Sequence, residues 1–197
     1  MLAVAATVAA LGVLRDAGAR AVVRAVAGRP GLDEVISTAS KNLQLIGLND
    51  TEKRWVLKNP SHLFALDALM ATYPDALVVQ CHRPAETIMA SMCSLAQHTT
   101  AGWSNTFTGA VIGADSLETW SRGLRLFNTE RAKHDPAQFY DLEYSALVSD
   151  PVAAVADIYR HFGIELTDEA RAAIVDTDEQ SKQGPRAPKH TYSLADY

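Results

Sequence analysis

Four side chains near the middle of the sequence, Lys58, His62, Arg83 and Ser91, have types and spacings suited to holding an anion. Lys58 closes the apolar run Trp55-Val56-Leu57 and is followed by Asn59-Pro60-Ser61-His62. Arg83 comes two residues after the apolar stretch 76–81 and directly before Pro84. Each stretch reads as a strand running into the first turn of a helix, because Asn59 suits an N-cap and proline suits the first helical position. Helix starts present unpaired N–H groups and the positive end of the dipole, and in an open parallel sheet they gather beyond the carboxyl ends of the strands. A guanidinium for two parallel hydrogen bonds, backbone amides and a hydroxyl one or two helical turns along are what a dianionic phosphate needs.

Each residue alone also has an ordinary reading. Arg83 could be solvated or paired with Glu86, and Ser91 could hydrogen-bond back to the preceding turn of its own helix. His62 could simply finish a helical turn, and Lys58 could be a surface lysine at a strand end.

The elements that must position these residues alternate strand and helix from Arg54 onward, the sequence form of a parallel sheet with crossover helices. A helix beginning at Pro60 is expected to bury Leu63, Leu66, Met70 and Tyr73 on one face. Residues 76–81 read as a strand buried on both sides. The helix after Pro84 has Ile88, Met92 and Leu95 as its apolar face, with Ser91 among them. Residues 98–114, with Trp103 and Phe107, read as a long loop. Leu117, Trp120, Leu124 and Phe127 then mark a helix capped by Asp115 or Ser116. Residues 139–144 read as a strand, although Asp141 and Glu143 weaken that pattern. Asp150-Pro151 opens a helix with Val155, Ile158, Tyr159 and Phe162 inside and a stop at Gly163. Thr167 starts another, and residues 180–197 read as irregular.

Composition bounds the rest. At 197 residues with 48% hydrophobic and 21% charged residues, the chain is long enough for one α/β domain with a sizeable core. A net charge of −5 argues against broad nucleic-acid binding, which needs a basic surplus. Cys81 and Cys93 form no C-x-x-C pair, and the six histidines show no metal-ligand spacing, so the expectation is reduced thiols in the cytoplasm and no metal. The apolar run 2–14 is too short to span a bilayer. Its Ala-rich composition suggests a helix, stopped at Gly28-Arg29-Pro30-Gly31, and divides the chain into an atypical helical segment 1–31 and a main domain 32–197.

The ordered motifs resemble the sulfotransferase family that uses 3′-phosphoadenosine 5′-phosphosulfate. In that family an Arg after a strand and a Ser eight positions later hold the nucleotide 3′-phosphate, and Arg83 and Ser91 have this spacing. Lys58-Asn59-Pro60-Ser61-His62 matches the Lys-x-Pro-x-His turn of bacterial members. Tyr144, Leu147, Asp150-Pro151 and Gly163 fit the downstream pattern, so the resemblance, which runs from about residue 40 to 195, sets Tyr144 near the adenine, an ordinary core tyrosine being the other reading.

The resemblance implies an α/β, P-loop-like fold and sulfuryl transfer from 3′-phosphoadenosine 5′-phosphosulfate to a hydroxyl or amine of a small-molecule, lipid or glycan acceptor. It makes His62 the general base and Lys58 the group that neutralises developing charge, with Arg83, Ser91 and Tyr144 binding the nucleotide and no metal. One part of the family pattern is missing. The first strand normally leads into a Gly-x-x-Arg-Ser-Gly-Thr-Thr-like loop that grips the 5′-phosphosulfate, and this sequence has none. The alternative expectation is therefore a truncated, catalytically impaired nucleotide-binding domain or partner subunit.

Overall fold

The computed structural model describes residues 3–6, 56–183 and 193–197. Their sheet has the order β2-β1-β3-β4, with β1 at Ala3–Ala6, β2 at Val56–Lys58, β3 at Leu77–His82 and β4 at Phe139–Glu143. All three pairings are parallel, with Ala5 level with both Lys58 and Val79, and His82 level with Glu143. The carboxyl ends of the strands therefore share one edge of the sheet, the edge at which α/β folds collect ligands.

The opening of the chain differs from its Ala-rich composition. Ala3–Ala6 is a strand between β2 and β3, not the first turn of a helix. Intrinsic propensity differences among ordinary residues are under about 1 kcal/mol per residue, and backbone pairing on both sides overrides them. The rest of the segment 7–31, with its expected stop at Gly28-Arg29-Pro30-Gly31, lies outside the described residues.

Six α-helices follow among the described residues: α1 Leu66–Thr72, α2 Ala85–Thr100, α3 Gly109–Arg131, α4 Tyr144–Ser149, α5 Pro151–His161 and α6 Asp168–Gln183. None is long and apolar enough to cross a membrane. The helix expected from Pro60 is broken into a 3-10 turn, Pro60–Phe64, and α1, because Ala65 leaves helical geometry at φ −149°. The turn and the helix still bury Leu63, Leu66 and Met70 as the spacing requires. Asp150 caps α5 by accepting a 2.9 Å hydrogen bond from the Ala153 amide, and Gly163, at φ +64°, ends it in the left-handed conformation that glycine adopts without strain. Thr167 Oγ1 accepts a hydrogen bond from the Ala170 amide at the start of α6.

The sheet is covered on both faces. Val78 and Phe139 pack with Leu63, Phe64, Leu66, Leu69, Met70 and Phe127, from the 3-10 turn, α1 and α3. Val79 and Leu142, pointing the other way, pack with Ala154 and the partly buried Leu147, Ile158 and Phe162. Gln138 pins the start of β4 beside β3 by donating to the Pro74 and Ala76 carbonyls at 2.9 and 3.0 Å.

Two helix faces are rotated from their sequence patterns. In α2 the buried residues are Ala90, Met92, Cys93, Ser94 and Thr100, while Leu95 is exposed. Helix α3 begins at Gly109, inside the stretch that reads as a loop, and buries Ile112, Ser116, Gly123 and Phe127 rather than Leu117 and Leu124. The physical reason is close helix packing through small residues. The Cys93 thiol hydrogen-bonds Ser116 across α2 and α3, and burial raises its pKa. Gly123 lies so near Phe64 that a β-carbon there would stand 2.7 Å from Cζ of the ring.

Gly123→Ala is accordingly expected to destabilise the protein. The helix-propensity gain of up to about 1 kcal/mol is outweighed by an overpacking cost of roughly 1–3 kcal/mol. The measurement is the thermal midpoint by circular dichroism, and the partner variant Phe64→Leu should recover part of the loss when combined with it.

Candidate functional site at the strand edge

Lys58 is the last residue of β2 and is exposed. His62 lies in the 3-10 turn that leaves this strand. Its ring is partly buried, and Nδ1 is enclosed with no hydrogen-bond partner among the described residues. Burial pushes the imidazole below its ordinary 6.5, because a low-dielectric site disfavours the charged form. At neutral pH the ring is the free base, able to accept a proton.

Arg83 is the first residue beyond β3 and is exposed. Its guanidinium carbon stands 4.5 Å from the centroid of the Tyr144 ring, a cation–π contact. Tyr144 directly follows β4 as the first residue of α4. Since β3 and β4 are neighbours with His82 level with Glu143, the next residue on each chain, Arg83 and Tyr144, leaves the sheet side by side. The pairing of Arg83 with Tyr144, rather than with Glu86, is the arrangement this register produces.

Ser91 is partly buried two turns into α2, and no hydrogen bond joins it to Arg83. Lys58 and Arg83 are not neighbours either. Strand β1 lies between their strands, and the register sets Lys58 level with Val79 through Ala5, four residues short of Arg83. The edge thus carries two groups, Lys58 with His62 and Arg83 with Tyr144, flanking the end of β1. No cluster of His, Cys, Asp or Glu suited to a metal occurs among the described residues.

Beside the second group lies a polar network that motif reading does not single out. Asp141 accepts from Arg131 Nη1 at 2.8 Å and Nη2 at 2.7 Å, and its Oδ1 is 2.6 Å from His82 Nε2. Arg131 Nη1 also donates to Gln80 Oε1 at 2.8 Å, and its guanidinium carbon lies 4.9 Å from the Phe139 ring centroid. The Arg131 hydrogen bond, reinforced by His82, pulls the Asp141 carboxyl from 3.8 down to about 2. The signal available in the sequence was the alternation of Gln80 and His82 with Asp141 and Glu143 on neighbouring strands.

The depressed carboxyl has a defined pH signature. A carboxylate with a lowered folded-state pKa stabilises above its unfolded value and loses that contribution as pH falls through the folded value. The Asp141→Asn variant is expected to lose less stability than the parent as pH drops from about 3.8 to about 2, followed by circular dichroism.

Comparison with known proteins agrees with this architecture. The model of the Sulfotransferase family matches residues 11–168. The crystal structure of sulfotransferase STF1 from Mycobacterium tuberculosis H37Rv superposes with a TM-score of 0.69 at 70% sequence identity, over 79% of this chain and 39% of that one. Sulfotransferase STF9 from Mycobacterium avium superposes with a TM-score of 0.63 at 23% identity, over 73% of this chain and 37% of that one, a likeness of fold. In sequence, 115 residues are 29% identical to the omega-hydroxy-beta-dihydromenaquinone-9 sulfotransferase Stf3 of Mycobacterium bovis, covering 57% of this chain and 29% of that protein. The chain thus spans less than two fifths of the length of each of these three relatives. With a family match across most of its length and a parallel α/β sheet of the same architecture, the chain belongs to the sulfotransferase family.

Proposed function

We infer that the strand edge is the nucleotide-side half of a sulfotransferase site that takes 3′-phosphoadenosine 5′-phosphosulfate as donor. The observation that carries this reading is the Arg83 guanidinium held over the Tyr144 ring where β3 and β4 end. An exposed cation beside an exposed aromatic face suits a ligand that combines a phosphate with a purine. Ser91 supplies a hydroxyl for the same phosphate. Lys58 and His62, on the far side of β1, suit the other anionic end of an extended donor.

In the proposed reaction an acceptor hydroxyl or amine loses its proton to His62 as it attacks sulfur. The bond from sulfur to the bridging phosphate oxygen breaks, and adenosine 3′,5′-bisphosphate departs, with Lys58 countering charge on the leaving side. Catalysis rests on positioning and on charge stabilisation, as in phosphoryl transfer. The curated relative named above acts on a menaquinone lipid, which supports a small-molecule or lipid acceptor here. The thiols of Cys81 and Cys93, on β3 and α2, suit a cytoplasmic setting.

Calorimetric titration tests the reading. Adenosine 3′,5′-bisphosphate is expected to bind more tightly than adenosine 5′-monophosphate; equal affinities overturn the assignment of a 3′-phosphate site. A second reading, a nucleotide-binding domain that does not turn over, is favoured by the sequence after β1, where Thr7-Val8-Ala9-Ala10 carries neither a cation nor a glycine. Transfer of labelled sulfuryl to any alcohol by this chain excludes that alternative.

A further inference from the structure

We propose that Asp141, bridging Arg131 and His82, is a positioning residue that aligns Arg83 for the nucleotide 3′-phosphate. The proposal rests on the nucleotide reading above and adds to it a part of the fold with no assigned role.

Three features of the network point beyond generic stability. First, its strand residues alternate on a single sheet face. Val78 and Phe139 lie at the core level of that face, and Gln80 beside Asp141 come next in register, followed by His82 beside Glu143. The polar ladder thus climbs from the core to the residues immediately before Arg83 and Tyr144. Second, the geometry is that of a fixed joint. The paired Arg131–Asp141 hydrogen bonds set the carboxylate plane, and a planar fork of this kind constrains orientation as well as distance. The remaining capacity of Oδ1 goes to His82 at 2.6 Å, which ties the last residue of β3 to β4 and, through Arg131, to the end of α3. Third, the Arg83–Tyr144 contact is otherwise built from two exposed side chains. A solvated pair of this kind holds no fixed geometry unaided, so its alignment depends on how firmly the two strand ends are joined.

A positioning role makes a prediction that a merely structural role does not. If Asp141 acts through Arg83, its loss should matter only while Arg83 is present, since residues acting as one unit are non-additive. The experiment is calorimetric titration of the full chain with adenosine 3′,5′-bisphosphate and with adenosine 5′-monophosphate. The variants are Asp141→Asn, His82→Ala, Arg83→Ala and the double variant Asp141→Asn/Arg83→Ala. His82→Ala leaves the Arg131–Asp141 pair intact, and so keeps the test informative if Asp141→Asn does not fold.

The expected result is a loss of about tenfold in affinity for the bisphosphate in Asp141→Asn, with a smaller loss in His82→Ala. Affinity for the monophosphate should be unchanged in both, and adding Asp141→Asn to Arg83→Ala should cost nothing further. Full additivity, or equal losses for both nucleotides, overturns the proposal while leaving the nucleotide reading in place. If the unsubstituted chain shows no preference for the bisphosphate, the nucleotide reading itself fails and the positioning role with it.

Discussion

Replacing Arg83 by alanine is expected to weaken binding of adenosine 3′,5′-bisphosphate by about 3 kcal/mol, roughly a hundredfold. In the free protein the guanidinium is exposed and its contact with Tyr144 is solvated, so the substitution should leave folding stability within about 0.5 kcal/mol of the parent. The large effect arises when ligand covers the pair. The phosphate then loses water on one side, and without the guanidinium its charge is left unpaired. Arg83→Lys keeps the charge but not the two-pronged geometry, and is expected to fall between the parent and alanine. Calorimetry measures the affinities, and thermal unfolding checks that the fold is retained.

The second large effect is expected at His62. Under the proposed mechanism, His62→Asn lowers the transfer rate by about 10²–10⁴, the usual contribution of a positioned general base, with donor affinity little changed. The ring is already below its ordinary 6.5 because of burial, so the rate of the parent should be flat at and above neutral pH and fall only on acidification. Stability carries the same sign. Protonation favours the unfolded chain, where the imidazole is solvated, so the protein should lose stability as pH falls through about 6.5 and His62→Asn should lose less. The pH profile of labelled sulfuryl transfer to a simple alcohol, together with acid titration of the fold, measures both.

The strand-to-helix turns were legible in the sequence because their signals are local. Asn59-Pro60, Pro84 and Asp150-Pro151 mark helix starts through backbone chemistry that needs no tertiary context, and the apolar run 76–81 reads as a buried strand. What was not legible depends on partners far away in sequence. Ala3–Ala6 has the composition of a helix and becomes a strand only because β2 and β3 pair with it. The buried faces of α2 and α3 follow from contacts such as Gly123 on Phe64 and Cys93 on Ser116, where small residues matter more than large apolar ones. A hydrophobicity pattern weights Leu117 and Leu124 instead, and both are exposed.

The candidate site divides in the same way. Arg83 and Tyr144 are placed on one edge by strand order and register. Their separation from Lys58 and His62 by β1 is a topological fact that spacing along the chain does not contain. The Asp141 network was hidden for a further reason. Its acidic residues appeared as defects in a strand pattern, whereas Arg131 and His82 satisfy one of them from two other elements.

The most direct measurement is a crystal structure of the chain with adenosine 3′,5′-bisphosphate. The proposed site requires the 3′-phosphate within hydrogen-bonding distance of both Arg83 and Ser91, and the adenine against Tyr144. A nucleotide bound elsewhere, or one whose 3′-phosphate points away from Arg83 into solvent, contradicts it.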